Sequence, residues 1–225
     1  MDLQKFDLET LRNKTLDYFT IAIYGPSRSG KSHNVQRLVL YMQMKNLITP
    51  ENTILFKNST CESKYIDKLF PNQLKWDEQK LTDYLEHRGK IMTLAKQHNM
   101  TDKVPPVLII CDDISEKRNQ IRESNAFKEL ILSGRHLKLY RIISYHDFTF
   151  INKALRDSVD FLMFTKIDNK SIIDWIKQYE LHESIGELIK TIVNDYTTDE
   201  DSKKFITIVF YKRSNDFKKR WTYIK

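Results

Sequence analysis

The sequence predicts an α/β fold in layers, with a largely parallel central sheet flanked by helices and a C-terminal β-hairpin. Short apolar runs rich in β-branched and aromatic residues alternate along the chain with amphipathic helical patterns. One run, Val107–Cys111, is continuously apolar, the pattern of a strand buried on both faces. The 225 residues, 40% hydrophobic and 30% charged, suffice for one domain with a substantial core.

The elements follow in order. Tyr18–Tyr24 (YFTIAIY) reads as the first strand, and a helix runs from about Lys31 to Asn46. Thr53–Phe56 is a second strand. A long helix over Asp77–His98 places Leu81, Tyr84, Leu85, Arg88, Ile91, Met92 and Ala95 at helical spacing. Pro105-Pro106 ends that connection and launches the Val107–Cys111 strand. A helix over Ile121–Leu132 precedes strands at Leu139–Tyr145 and Val159–Phe164. Helical stretches at Ser171–Tyr179 and Ile185–Asn194 lead to the acidic loop Asp199–Asp201. Phe205–Tyr211 and Arg220–Ile224 form the closing hairpin. With no repeat, low-complexity tract or linker, the expectation is a single domain over 1–225, with a core of about 18–165 and an extension of about 166–225.

Composition narrows the functional classes. No apolar run is long enough to span a membrane, and the charged N-terminus MDLQKFDLETLRNK lacks the apolar centre of a signal peptide; a soluble intracellular protein is expected. Cys61 and Cys111 show no metal-ligand or disulfide spacing. The net charge of +7 is uneven, because the last fourteen residues, KRSNDFKKRWTYIK, carry six Lys/Arg against one Asp and leave the remainder nearly neutral. A basic tail on such a body points to a polyanionic partner or to a charge-protected edge hairpin.

The chemistry resides in Gly25-Pro26-Ser27-Arg28-Ser29-Gly30-Lys31-Ser32, a GxxxxGK[ST] phosphate loop between a strand and a helix. Its backbone N–H groups and the following helix N-terminus suit an anion. Lys31 is expected on the β- and γ-phosphates of a nucleotide and the Ser32 hydroxyl on Mg²⁺. Only five glycines occur in the chain and two lie here, so chance is a poor explanation. The strand VLIICD ends in Asp112 and Asp113. Asp112 is the natural partner of the metal, and Asp113 can orient or deprotonate a water, which favours hydrolysis over binding alone.

These segments, with Gly134-Arg135-His136-Leu137 ahead of a strand ending Ile142-Ile143-Ser144-Tyr145-His146, resemble the FtsK–HerA superfamily, and most nearly its poxvirus-type genome-packaging ATPases. The resemblance covers roughly Phe19–Phe164, and GRHLKLYRIISYHDFTFINKALRDSVDFLMF is its most specific part. It implies an ATP-driven ring that pumps double-stranded DNA into a preformed viral capsid, with capsid vertex proteins as partners, in the virion or at its assembly site. It assigns Arg135 as an arginine acting on the neighbouring subunit's ATP, with Arg156 in reserve. It assigns His146 to a sensor position that the family often fills with glutamine. Candidate DNA contacts are Arg213, Lys218, Lys219 and Arg220 of the tail, and Lys117, Arg118 and Arg122 after the acidic pair. Two other readings stand beside this one: a nucleotide or nucleoside kinase, and an ATP-gated capsid-assembly protein with little turnover.

Overall fold

A computed structural model describes residues 4–12, 16–57, 69–113, 118–146, 157–165, 207–214 and 221–224. The described strands form one nine-stranded sheet, in the order β1-β9-β8-β7-β2-β6-β5-β3-β4. They are β1 (Gln4–Lys5), β2 (Thr20–Tyr24), β3 (Thr53–Lys57), β4 (Asn72–Lys75), β5 (Val107–Asp112), β6 (Leu139–Tyr145), β7 (Phe161–Thr165), β8 (Thr207–Tyr211) and β9 (Trp221–Ile224). From β7 through β2, β6, β5 and β3 to β4 every pairing is parallel. The hairpin β8–β9 joins this sheet antiparallel to β7, and β1 adds itself parallel to β9.

Among the described residues the α-helices are α1 (Lys31–Met44), α2 (Glu78–Gln97), α3 (Arg118–Glu123) and α4 (Asn125–Ser133). Strand alternation sends successive side chains to opposite faces. Ile21, Ile23, Leu108, Ile110 and Ile142 pack with Val35, Leu38 and Met42 of α1 on one face. Ala22, Tyr24, Ile109 and Ile143 pack with Leu81 and Leu85 of α2 and Phe127 and Leu130 of α4 on the other. Both faces of the central strands are therefore covered, which is why they read as unbroken apolar runs.

Two expectations need correction, and one strand is new. The helix over Ile121–Leu132 is two helices, because Ser124 leaves the helical conformation and its hydroxyl accepts from the Phe127 N–H, starting α4 afresh. The first strand starts at Thr20, since Tyr18 has φ 54° and breaks the extended run. Strand β4 was not anticipated, because its sequence NQLK has no apolar alternation and it forms at an edge through its ladder to β3. The helices expected at 171–179 and 185–194, and the loop 199–201, lie outside the described residues.

Phe127 is fully buried and meets Trp76 edge-on, ring centroids 6.0 Å apart. Phe127→Ala is expected to cost about 3–5 kcal/mol of unfolding free energy, read as a lowered urea midpoint at unchanged m-value.

Candidate active site

Parallel pairing brings the carboxyl ends of β2, β5 and β6 to one edge of the sheet, and the phosphate loop opens directly from β2. Gly25 N donates to Tyr145 O at 3.3 Å, so the loop starts beside the end of β6. A Cβ on Gly25 would lie 2.0 Å from Thr165 Oγ1 and 2.5 Å from Ser29 Oγ, which leaves only glycine. Ser29 donates to Thr165 Oγ1 at 2.5 Å, and Thr165 in turn donates to Tyr24 O at 3.2 Å. The loop is thereby pinned to the end of β7.

Arg28 (φ 60°) and Gly30 (φ 93°) adopt left-handed conformations, the backbone of an anion-binding concavity. Pro26, Ser27 and Arg28 are exposed. Helix α1 has no side-chain cap and no acidic residue in its first turn, whereas α2 is capped by Asp77. The N-terminal N–H groups of α1 are thus left for an anionic ligand.

Lys31 is buried, and its ammonium donates to Gly25 O and Pro26 O, both at 2.9 Å, and to His146 Nδ1 at 2.7 Å. All three of its donors are used. Because Nδ1 accepts from lysine, the imidazole proton sits on Nε2, which faces Asp113 Oδ1 and donates to it. Burial pushes the Lys31 pKa down, opposed by the charges of Asp113 and Asp112.

Asp112, the last residue of β5, is buried. The Ser32 hydroxyl donates to its Oδ2 at 3.2 Å, and Ser144 donates to its Oδ1. Burial raises the Asp112 pKa, and the Ser144 and Ser32 bonds lower it. Asp113 follows with φ 53° and its N–H donates to Ser144 Oγ at 2.9 Å. Ser144 therefore fixes both acidic residues, and Thr165 fixes the loop. Sequence reading assigned neither a role. The available signal was a hydroxyl two residues before His146, on the same side of a strand otherwise apolar there.

A hydroxyl and a carboxylate are hard oxygen donors suited to Mg²⁺, which takes few protein ligands. Among the described residues no group of three or more His, Cys, Asp or Glu could hold a metal unaided. A cleft of about 580 Å³ beneath α2 opens beside the amino ends of β3 and β5, away from the phosphate loop.

Arg135 lies elsewhere. It precedes β6, at the amino edge of the sheet, and the seven residues of that strand put roughly 20 Å between its start and the end beside the phosphate loop. Its Nη2 donates to Asp160 Oδ1 at 2.5 Å, and Arg213 Nε donates to the same oxygen at 2.6 Å. Arg213 is thus tied to the sheet edge through Asp160. Arg118 and Arg122 lie on α3, whereas Lys117, Arg156, Lys218, Lys219 and Arg220 fall outside the described residues.

Fold and site together define a P-loop NTPase of the FtsK–HerA kind. The family described as Poxvirus A32 protein matches residues 3–221, and the chain belongs to that family of viral DNA-packaging ATPases. No curated protein sequence matches it. Among solved structures, the chain resembles the DNA-packaging ATPase B204 of Sulfolobus Turreted Icosahedral Virus (TM-score 0.61, 14% identity), over 93% of this chain and 98% of that one. It also resembles the genome packaging NTPase B204 of Sulfolobus turreted icosahedral virus 2 in complex with ATP-gammaS (0.57, 16%), over 92% and 96%. The cytoplasmic domain of the Type VII secretion ATPase EccC of Thermomonospora curvata shares the fold (0.59, 13%), over 92% of this chain and 25% of that one.

Ser144→Ala removes the bond to the Asp112 carboxylate and the acceptor of the Asp113 backbone N–H, and kcat is expected to fall about 10–100-fold in steady-state hydrolysis. The Asp112 shift fixes a sign for pH. A folded-state pKa above the unfolded value of about 3.8 means a stabilising contribution that is complete below that value and lost as pH rises through the folded one. Metal-free Asp112→Asn is therefore expected to melt above the parent at neutral pH, with the gap closing in acid, while its hydrolysis collapses.

Proposed function

We propose that this chain is a Mg²⁺-dependent ATPase motor that drives double-stranded DNA into a preformed capsid, working as a head-to-tail ring at a capsid vertex. The observation that carries this reading is the joining of Lys31, His146 and Asp113 beside Ser32, Asp112 and Ser144 at one sheet edge. It supplies a phosphate cradle, a metal-suited pair and a second carboxylate for water. A kinase places an acceptor molecule where this site places that second carboxylate.

Lys31 exchanges loop carbonyls for β- and γ-phosphate oxygens when nucleotide enters, and the uncapped α1 N-terminus takes the β-phosphate. Ser32 and Asp112 are the residues that would hold Mg²⁺. When bound, that ion neutralises charge developing on the phosphates. Asp113 orients the attacking water and accepts its proton. His146 connects the water-side carboxylate to the phosphate-side lysine, so loss of the γ-phosphate is felt at both.

Arg135 serves the neighbouring subunit, where its planar charge stabilises the transition state. Its distance from its own phosphate loop supports action in trans. Heterologous contacts repeated around a ring would deliver one such arginine to every nucleotide. Arg118 and Arg122 of α3, with Lys117, Lys218, Lys219 and Arg220, supply sequence-independent phosphate contacts to DNA. The chain acts as one domain without a membrane span, in the virion or at its assembly site; no described helix is long and apolar enough to cross a membrane.

The test is ATP hydrolysis with and without duplex DNA at low and moderate salt. Stimulation by duplex of any sequence, weakened by salt, is expected. Turnover indifferent to DNA, or phosphate transfer to a nucleoside, would overturn the reading. Arg135→Ala is expected to lower turnover by about 10³–10⁵-fold with nucleotide affinity retained.

A further inference from the structure

Asp160 is 1% exposed and carries more than one residue's share of contacts. Its Oδ2 accepts from Thr20 N at 2.9 Å, and its backbone N–H donates to Thr20 O at 3.0 Å. Its carbonyl accepts from Lys212 N at 2.9 Å, which binds the turn after β8. Its Oδ1 receives two guanidinium groups, from Arg135 and Arg213. Those side chains are 34% and 41% exposed.

A third guanidinium stands behind them. Arg141 is fully buried, donating to Tyr18 O at 2.5 Å and Leu130 O at 3.4 Å. Burial lowers its pKa to about 10, with the charge of Asp160 opposing and that of Arg135 reinforcing the shift. One buried carboxylate thus answers three guanidinium groups, and the cluster has cationic charge to spare. Two of its cations reach the surface at the edge opposite the phosphate loop.

An arginine bonded only to a buried carboxylate cannot leave without stranding that charge. A second arginine on the same oxygen removes the obstacle, because the carboxylate keeps a partner when the first departs. We propose that Asp160 and Arg213 are positioning residues for Arg135. Asp160 aims Arg135 at the subunit surface, and Arg213 holds the Asp160 carboxylate when Arg135 turns to the nucleotide phosphate of a second copy of this chain. The inference rests on the trans reading of Arg135 given above. It also gives Arg213 a partner other than DNA.

The experiment mixes full-length variants in equal amounts and follows DNA-dependent ATP hydrolysis. Lys31→Ala keeps its arginines and loses its phosphate site, and Arg135→Ala is the converse. Arg213→Ala alone is expected to lower kcat about 10–100-fold at unchanged KM. Mixed with Lys31→Ala it regains turnover, because the Lys31→Ala copy supplies an intact Arg135 to a sound phosphate site. Mixed with Arg135→Ala it does not, since neither copy supplies a working arginine. Arg213→Lys, which keeps the charge, is expected to restore turnover, and Arg213→Gln is not. The Gln variant replaces the Ala variant in the mixtures if the latter melts early.

Three results overturn the proposal. Turnover of Arg213→Ala equal to that of the parent removes any role for Arg213. Rescue by Arg135→Ala but not by Lys31→Ala places its defect in its own phosphate site; both results leave the trans reading intact. Failure of the Lys31→Ala and Arg135→Ala pair to rescue each other sinks the trans reading and this inference together.

Discussion

The parallel ladder between β2 and β6 is the constraint on which the rest of the molecule depends. Its register sets Tyr24 opposite Tyr145, so the residues that leave the two strands, Gly25 and His146, emerge side by side. The Gly25 N–H to Tyr145 carbonyl bond continues the ladder one step beyond the strands. A slip of one residue would turn His146 and Ser144 to the opposite face and part them from Lys31 and Asp112. Such a slip would also carry Ile142 from the face packed on α1 to the face packed on α2 and α4, so the core and the site enforce the same register.

The site is assembled from charges that the fold holds out of water. Lys31 and Asp112 are both buried, and burial works against the charged form of each. Each is kept in place by a full set of polar contacts: three acceptors for the ammonium and two hydroxyl donors for the carboxylate. This satisfies the buried polar atoms while leaving the cradle ready to trade its own carbonyls for phosphate oxygens. The uncapped start of α1 follows the same logic, since an exposed, unsatisfied N-terminus is tolerated where a ligand completes it.

In the proposed mechanism the two ends of the parallel sheet carry different parts of one reaction scheme. The carboxyl edge holds the phosphate loop, the acidic pair and His146. The amino edge holds Asp160 with Arg135 and Arg213. A strand's length separates them. In the ring we propose, head-to-tail contact between copies would bring the opposed edges together.

Much of this was legible in the residue order, and the division has a physical basis. The phosphate loop, the helix after it and the strand ending in Asp112-Asp113 are local: glycine spacing, a strand-to-helix switch and an apolar run ending in carboxylates need no distant partner to be recognised. The parallel sheet was equally plain, because strands covered on both faces read as continuous apolar runs. What depends on residues far apart in the chain was decided only by tertiary structure. Ser144 meets Asp112 across 32 positions, Thr165 meets Ser29 across 136, and Thr20 meets Asp160 across 140. Strand β4 belongs with these, since its polar sequence becomes a strand only where β3 offers a ladder. His146 sits between the two cases. Its place at a strand end could be read from sequence, but its choice of Lys31 and Asp113 as partners is a consequence of register.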